Sequence, residues 1–116
     1  MTESQFKTKV VRYIKSALPG AWVYHPSDKW VSGIPDLFIL YRGVFAAIEL
    51  KVGKNKPSKL QLITLERLTA AGAITHVCWT MPEVQGVALK IKMSAETNIG
   101  VFPKRNFYYE VKSHLE

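Results

Sequence analysis

The stretch GIPDLFILYRGVFAAIELK, residues 33–51, decides the fold of this chain. Two apolar runs flank Arg42-Gly43, and glycine readily supplies the positive φ that a two-residue hairpin loop requires. The pattern therefore predicts two antiparallel strands, at 36–41 and 44–50, joined by a tight turn. Because apolar residues dominate both runs, the hairpin is expected to be buried within a sheet.

Three charged side chains lie at the open end of this predicted hairpin. Counting back from the loop, Asp36 pairs with Glu49, and directly opposed residues have Cβ atoms about 4.5–5.5 Å apart. Lys51 is two positions beyond Glu49, so strand periodicity places it on the same face. Two carboxylates this close repel each other unless positive charge is nearby. Lys51 supplies one unit, and a hard divalent cation such as Mg²⁺ or Mn²⁺, which prefers oxygen ligands, would supply two.

The same residues also have a purely structural interpretation. Asp36, Lys51 and Glu49 would then form an ion network without a metal, or one of the two acids would stay protonated. The metal site is the favoured hypothesis, because the acids end apolar strands and the basic segment KVGKNKPSK, 51–59, follows at once.

The composition is that of a globular protein with excess positive charge. The chain has 116 residues, of which 47% are hydrophobic and 22% charged, and a formal net charge of +7. This length predicts a single domain, 1–116. No apolar run approaches the roughly 20 residues that span a bilayer, and the lone Cys78 forms no disulfide framework, so a soluble cytoplasmic protein is expected. The charge suggests a polyanionic partner, nucleic acid before membrane surface, although ordinary solubility charge explains the total equally well.

Hydrophobic periodicity predicts the elements around the hairpin. They are helices at 3–18 (with a Thr2–Gln5 capping box), at 58–71 and from a Thr80–Glu83 cap onward, and strands at 21–25 and 74–79. The order α-β-β-β-α-β-α predicts an α/β fold, a small mixed central sheet flanked by helices. The signal fades from Ser94 onward, and the segment VFPKRNFYYEVK (101–112) is open to interpretation as a strand or an ordered arm.

These motifs together resemble the PD-(D/E)xK nuclease signature. GIPD, twelve intervening residues and ELK match its D-x12-E-x-K spacing, and the αβββαβ order is similar to its restriction-endonuclease-like core. More narrowly, the chain resembles the VRR-Nuc family, in which a GxPD turn, an ExK strand and a helix with an early Gln recur. That helix begins PSKLQ here. The resemblance covers about residues 3–92, and 93–116 lie outside it as a C-terminal extension.

The resemblance implies a catalytic site and a cofactor. Asp36 and Glu49 would bind Mg²⁺ or Mn²⁺ with the backbone carbonyl of Leu50, and Glu3 is an additional candidate ligand. Lys51 would orient or activate the attacking water and stabilise charge on the phosphate. Gln61 would lie beside the site as a further catalytic residue.

The resemblance also implies a substrate and an assembly. Related standalone domains from phages and bacteria are homodimeric nucleases of branched DNA that act on four-way (Holliday) junctions, and larger relatives belong to DNA repair. The implied activity is therefore metal-dependent hydrolysis of DNA phosphodiester bonds in the cytoplasm of a bacterial or phage-infected cell. Aromatic residues around 101–109, which lie outside the predicted core, are expected to contribute to a dimer interface.

Several of these residues have alternative explanations. Gln61 also completes a capping box with Ser58, and Glu3 in a first helical turn is favourable to the helix dipole whatever its function. Three lysines of the basic loop are predicted to contact DNA phosphates, although a solvated loop would look the same; they are Lys54, Lys56 and Lys59.

Two other functional classes remain open at this stage. One is a non-catalytic nucleic-acid-binding module that keeps a nuclease-like fold. The other is an interaction domain whose charges are structural. The complete set of Asp36, Glu49 and Lys51 favours the nuclease, because a module that only binds does not need paired acids facing a phosphate.

Overall fold

The computed structural model describes residues 1–26 and 32–97. Its elements are α1 (Glu3–Ala17), β1 (Trp22–Tyr24), β2 (Leu37–Tyr41), β3 (Val44–Leu50), α2 (Lys59–Ala70), β4 (Ile74–Cys78) and α3 (Met81–Thr97). This order confirms the predicted α/β class, and the bounds that the sequence predicts differ from these by at most one residue. No helix within the described ranges is long and apolar enough to cross a bilayer.

Helix α3 runs past residue 92, where the predicted core ends. Its buried stripe continues from Ile91 to Ala95, one helical turn further, so the last turn of α3 also packs against the protein. The predictions for the extension beyond Thr97, including the aromatic residues at 101–109, lie outside the described residues.

The four strands lie in the order β1-β2-β3-β4. Neighbours β1 and β2, and β2 and β3, are antiparallel, whereas β3 and β4 are parallel and joined through α2. The hairpin has the predicted register, from Leu37 opposite Ile48 to Tyr41 opposite Val44. Both loop residues have positive φ, 47° at Arg42 and 83° at Gly43, as in the type I′ turns that match the twist of paired strands.

One face of the sheet packs against α1 and α3 and forms the hydrophobic core. Alternate residues of β2 and β3 point to it, and α1 covers them with the stripe Phe6, Val10 and Ile14. Cys78 is buried in the same cluster, and burial together with the charge of Glu83 raises the pKa of its thiol to about 12. The core therefore holds this cysteine as an inert, protonated side chain.

The other face of the sheet is covered by α2 only beside β3 and β4. The remainder carries a row of stacked aromatic rings whose successive centroids are 5.6, 6.4 and 5.6 Å apart, namely Trp22, Tyr24, Phe38 and Phe45. The residues Trp22 and Tyr24 are 54% and 47% exposed. Glu49 points to this same face, because it alternates with the core-facing Ile48 and Leu50.

The turn before β2 requires glycine at position 33. Gly33 has a φ of 83°, and a Cβ there would lie 2.8 Å from the backbone oxygen of Leu60 in α2. Gly33→Ala is therefore expected to lower the free energy of unfolding by about 2–3 kcal/mol, through left-handed strain and overlap with the helix.

Gly86→Ala is the matched control for this substitution. Gly86 lies inside α3 with open space around it, so alanine there is expected to raise the free energy of unfolding by about 0.5–1 kcal/mol. Urea denaturation of both variants measures the difference. Equal stability of Gly33→Ala and the parent protein would contradict the assigned close approach.

Candidate metal centre

Asp36 lies one residue before β2, at the end of the GIPD turn. Its Oδ2 accepts a hydrogen bond of 2.8 Å from the backbone N–H of Leu50, the last residue of β3. The strand pairing ends at Leu37–Ile48, so the predicted cross-strand pair of Asp36 and Glu49 is not part of the ladder. The Asp36 carboxylate instead binds the backbone beyond the ladder, and this contact holds it beside Glu49.

Glu49 is a buried acid with an unusual set of contacts. Its side chain is 2% exposed, and its Oε1 lies 3.7 Å from the Nζ of Lys51 and accepts a 3.2 Å hydrogen bond from the Nε2 of Gln61. Its Oε2 is buried without a hydrogen-bond partner among the described residues. Leaving a buried polar atom unpaired costs about 1–3 kcal/mol, more for a charged group, so this oxygen calls for either a proton or a cation.

Glu3, the first residue of α1, completes a cluster of three acids. One carboxylate oxygen from each of Glu3, Asp36 and Glu49 lies within 4.8 Å of the other two. They line a solvent-open cavity of about 540 Å³ together with Lys51 and Gln61. Three carboxylates, one of which has an unpaired buried oxygen, fit a hard divalent cation, which takes oxygen ligands and leaves positions for water or phosphate.

In the acid cluster, a proton on Glu49 competes with nearby cationic groups that favour the ionised carboxylate. Burial raises the pKa of the Glu49 carboxyl from an ordinary 4.5 to about 8, and the neighbouring Asp36 and Glu3 add to the shift, whereas Lys51 opposes it. When protonated, Glu49 can donate to Asp36, so the proton removes both the repulsion and the unpaired oxygen. Without a cation, the protonated acid considered in the sequence analysis is thus the state that burial favours at neutral pH.

This shift has a measurable effect on stability in EDTA. Between pH 5 and 8 the folded protein keeps a proton on Glu49 that the unfolded chain has lost, so the free energy of unfolding should fall as pH rises and level off above pH 8. Urea denaturation of the parent protein and Glu49→Gln across this range isolates the contribution of this acid. A difference between the two proteins that does not change with pH would contradict the shift.

Gln61 satisfies both explanations that the sequence left open. Its Oε1 accepts a 2.8 Å hydrogen bond from the backbone N–H of Ser58, whose hydroxyl accepts from the backbone N–H of Gln61, and this reciprocal pair is the predicted capping box. Its Nε2 remains free to donate to Glu49. The two ends of one amide therefore join the start of α2 to the acid cluster.

Two substitutions separate these roles of Gln61. Ser58→Ala removes the cap and should lower the free energy of unfolding by about 1 kcal/mol, with cleavage nearly unchanged. Gln61→Glu keeps an acceptor for the cap but replaces the donor to Glu49 with a negative charge, so we expect cleavage to fall about 10- to 100-fold. Denaturation and cleavage rates of both variants test this, and equal activity losses would contradict separate roles.

Comparison with known proteins identifies the family. No family model and no curated protein matches the chain. A solved structure described as a VRR_NUC domain superimposes with a TM-score of 0.61 and 30% sequence identity, covering 75% of this chain and 95% of that one. The chain belongs to the VRR-Nuc family. The predicted resemblance is thereby confirmed, and the molecule is a nuclease-like domain.

The three lysines predicted to contact DNA phosphates lie outside the cavity of the acid cluster, and their contact with DNA stays a prediction. Lys54, Lys56 and Lys59 are exposed and do not line the cavity that holds the acids. Lys7, on α1, lines it instead and was not predicted as a site residue. The available sequence signal was its position one helical turn after Glu3, on the same side of the helix.

Proposed function

We propose that this VRR-Nuc domain is a divalent-metal-dependent endonuclease that hydrolyses DNA phosphodiester bonds, with branched DNA such as four-way junctions as its preferred substrate. The observation that carries the proposal is the convergence of Glu3, Asp36 and Glu49, with an unpaired buried oxygen on Glu49 and with Lys51 alongside. Magnesium is the expected cation, and manganese has the same preference for oxygen ligands.

Each residue of the cluster has a role in this mechanism. Asp36 and Glu49 would hold the cation, with Glu3 and the carbonyl of Leu50 as further proposed ligands. When bound, the cation supplies positive charge that offsets the negative charge growing on the attacked phosphate. The backbone N–H of Leu50 orients Asp36, and the amide of Gln61 orients Glu49.

Lys51 is the proposed catalytic side chain that carries positive charge. Its side chain is 14% exposed, and its ammonium lies at the cavity beside Glu49. From there it can orient a water molecule by hydrogen bonding and stabilise the phosphate. In the proposed step the water oxygen bonds to phosphorus and gives up a proton to solvent, while the bond from phosphorus to the sugar oxygen breaks and that oxygen takes up a proton. Direct attack by water is the proposed route; the Cys78 thiol is buried in the core and does not line the cavity.

Symmetric cleavage of a four-way junction requires two sites related by a two-fold axis, and each chain contributes one. We therefore propose that the active form is a homodimer. Sedimentation of the free protein and of its complex with junction DNA tests this, and a monomer in both conditions would contradict it.

A cleavage panel tests the proposed activity. Junction, flap, duplex and single-stranded DNA of matched sequence are incubated with Mg²⁺, Mn²⁺ or EDTA, and a matched RNA duplex tests the preference for DNA. Cleavage that requires the cation and is fastest on the junction supports the proposal. Metal-independent binding without any product would instead favour a non-catalytic nucleic-acid-binding module.

A further inference from the structure

Lys7 lies where two cavities adjoin on α1. It lines the cavity of the acid cluster, and with Ser4 it also lines a second cavity of about 340 Å³. The remaining lining residues of the second cavity are Thr8, Val11 and His25. Because residues four apart on a helix are about 6 Å apart along its axis, Lys7 places a positive charge one turn beyond Glu3.

The surroundings of Lys7 differ from those of the other lysines on this helix. Lys7 is partly buried, whereas Lys9 and Lys15 are exposed. An ion pair between Lys7 and Glu3, four positions earlier, would be the simplest account of this partial burial. Within the described residues, however, the ion pair that the structure shows joins Lys51 to Glu49. Lys7 is therefore a partly buried lysine that lines a polar, solvent-open cavity.

The second cavity has the chemistry of an anion site. Lys7 and the imidazole of His25 supply donors that can face an anion, and Ser4 adds a hydroxyl. The hydroxyl of Thr8 already donates to the backbone oxygen of Ser4 at 3.1 Å, so it does not compete as a donor. No acid lines this cavity within the part of the chain that the structure describes.

We propose that Lys7 and Ser4 bind the backbone phosphate next to the one being cleaved, so that α1, and not the exposed basic loop, positions the DNA strand. This inference rests on the proposed nuclease function, because the acid cluster defines where the cleaved phosphate lies. A phosphate contact of this kind fixes register without reading sequence. Lys7 is accordingly a positioning residue, and its loss should weaken binding more than it slows the chemical step.

Binding of junction DNA across a salt series provides the test. Lys7→Ala and Lys7→Arg are made in Glu49→Gln protein, which should not cleave, and Lys9→Ala and Lys15→Ala are controls with the same charge change on the same helix. Lys7→Ala should weaken binding about tenfold and reduce the slope of log K against log salt by about one. Lys7→Arg should restore most of the affinity, and the two controls should change it less than about twofold.

Cleavage kinetics separate this inference from the proposed function. With the catalytic residues intact, Lys7→Ala should raise KM with kcat within about threefold of the parent protein, and circular dichroism checks that the variant is folded. If Lys7→Ala and Lys9→Ala behave alike while the parent protein cleaves DNA, the phosphate site is wrong and the nuclease stands. If the parent protein cleaves nothing but Lys7→Ala selectively weakens binding, the nuclease is wrong; the contact between Lys7 and a DNA phosphate then stands, but its position next to a cleaved phosphate does not.

Discussion

Glu49→Gln is expected to abolish DNA cleavage and, at the same time, to raise the thermal stability of the metal-free protein. The substitution keeps the size of the side chain but removes a charge that is nearly inaccessible to water and has two acids beside it. Cleavage should fall at least about 10³-fold, because both a cation ligand and its charge are lost. Stability should rise because glutamine resembles the protonated acid that burial favours.

The stability gain depends on pH in a defined direction. At pH 8.5 Glu49 of the parent protein is mostly ionised and Glu49→Gln should melt higher, by roughly 3–6 °C for each kcal/mol gained. This difference should shrink as the pH falls from 8 and vanish only below pH 4.5, where the acid is protonated in the folded and the unfolded chain alike. Glu96→Gln, an exposed acid on α3, is the control and should change neither activity nor melting. Substantial cleavage by Glu49→Gln, or a lower melting temperature at pH 8.5, would refute the assignment of this residue.

Lys51→Met should reduce cleavage at least about 10²-fold while DNA binding changes only a few-fold. Methionine keeps much of the apolar stem, so the change removes mainly the ammonium that lies 3.7 Å from Glu49. The loss is expected in the chemical step because the charge acts on the phosphate as it is attacked. Lys51→Met should also raise the pKa of Glu49 further, since Lys51 is the positive charge that opposes the upward shift.

Single-turnover cleavage and equilibrium binding, measured on the same junction, separate these effects for Lys51. Lys54→Met and Lys56→Met are controls that remove the same charge from the exposed loop. If all three variants lose activity equally through weaker binding, Lys51 is only part of a general basic surface. A normal single-turnover rate in Lys51→Met would remove it from the mechanism.

The hairpin could be predicted from the sequence because its determinants are local. A two-residue loop with a glycine, together with a side-chain period of two, leaves one register that buries the apolar face. The same locality made the capping boxes at Thr2 and Ser58 predictable. Asp36 was harder, because its hydrogen bond to the Leu50 backbone forms beyond the last strand pair, where the ladder no longer dictates geometry.

The contribution of α1 to the site could be anticipated only in part. The stripe of Phe6, Val10 and Ile14 predicts which side of the helix faces the core, and Glu3 shares that side. The position of the helix along the sheet depends on packing between distant segments, and no short motif encodes it. For that reason Lys7 was missed as a cavity residue, whereas the basic loop, a conspicuous run in the sequence, was given the phosphate contacts.

The capping box of α1 has a consequence for how a cation would enter and leave the proposed metal centre. Glu3 belongs to the first helical turn, which the reciprocal hydrogen bonds of Thr2 and Gln5 hold together, while the other two acids belong to the hairpin. Helix ends open far more readily than sheets, so this turn can unwind while the core stays folded. If Glu3 binds the cation as proposed, we therefore expect the lifetime of the bound ion to follow the fraying of this helical turn, which the Thr2 and Gln5 hydrogen bonds oppose.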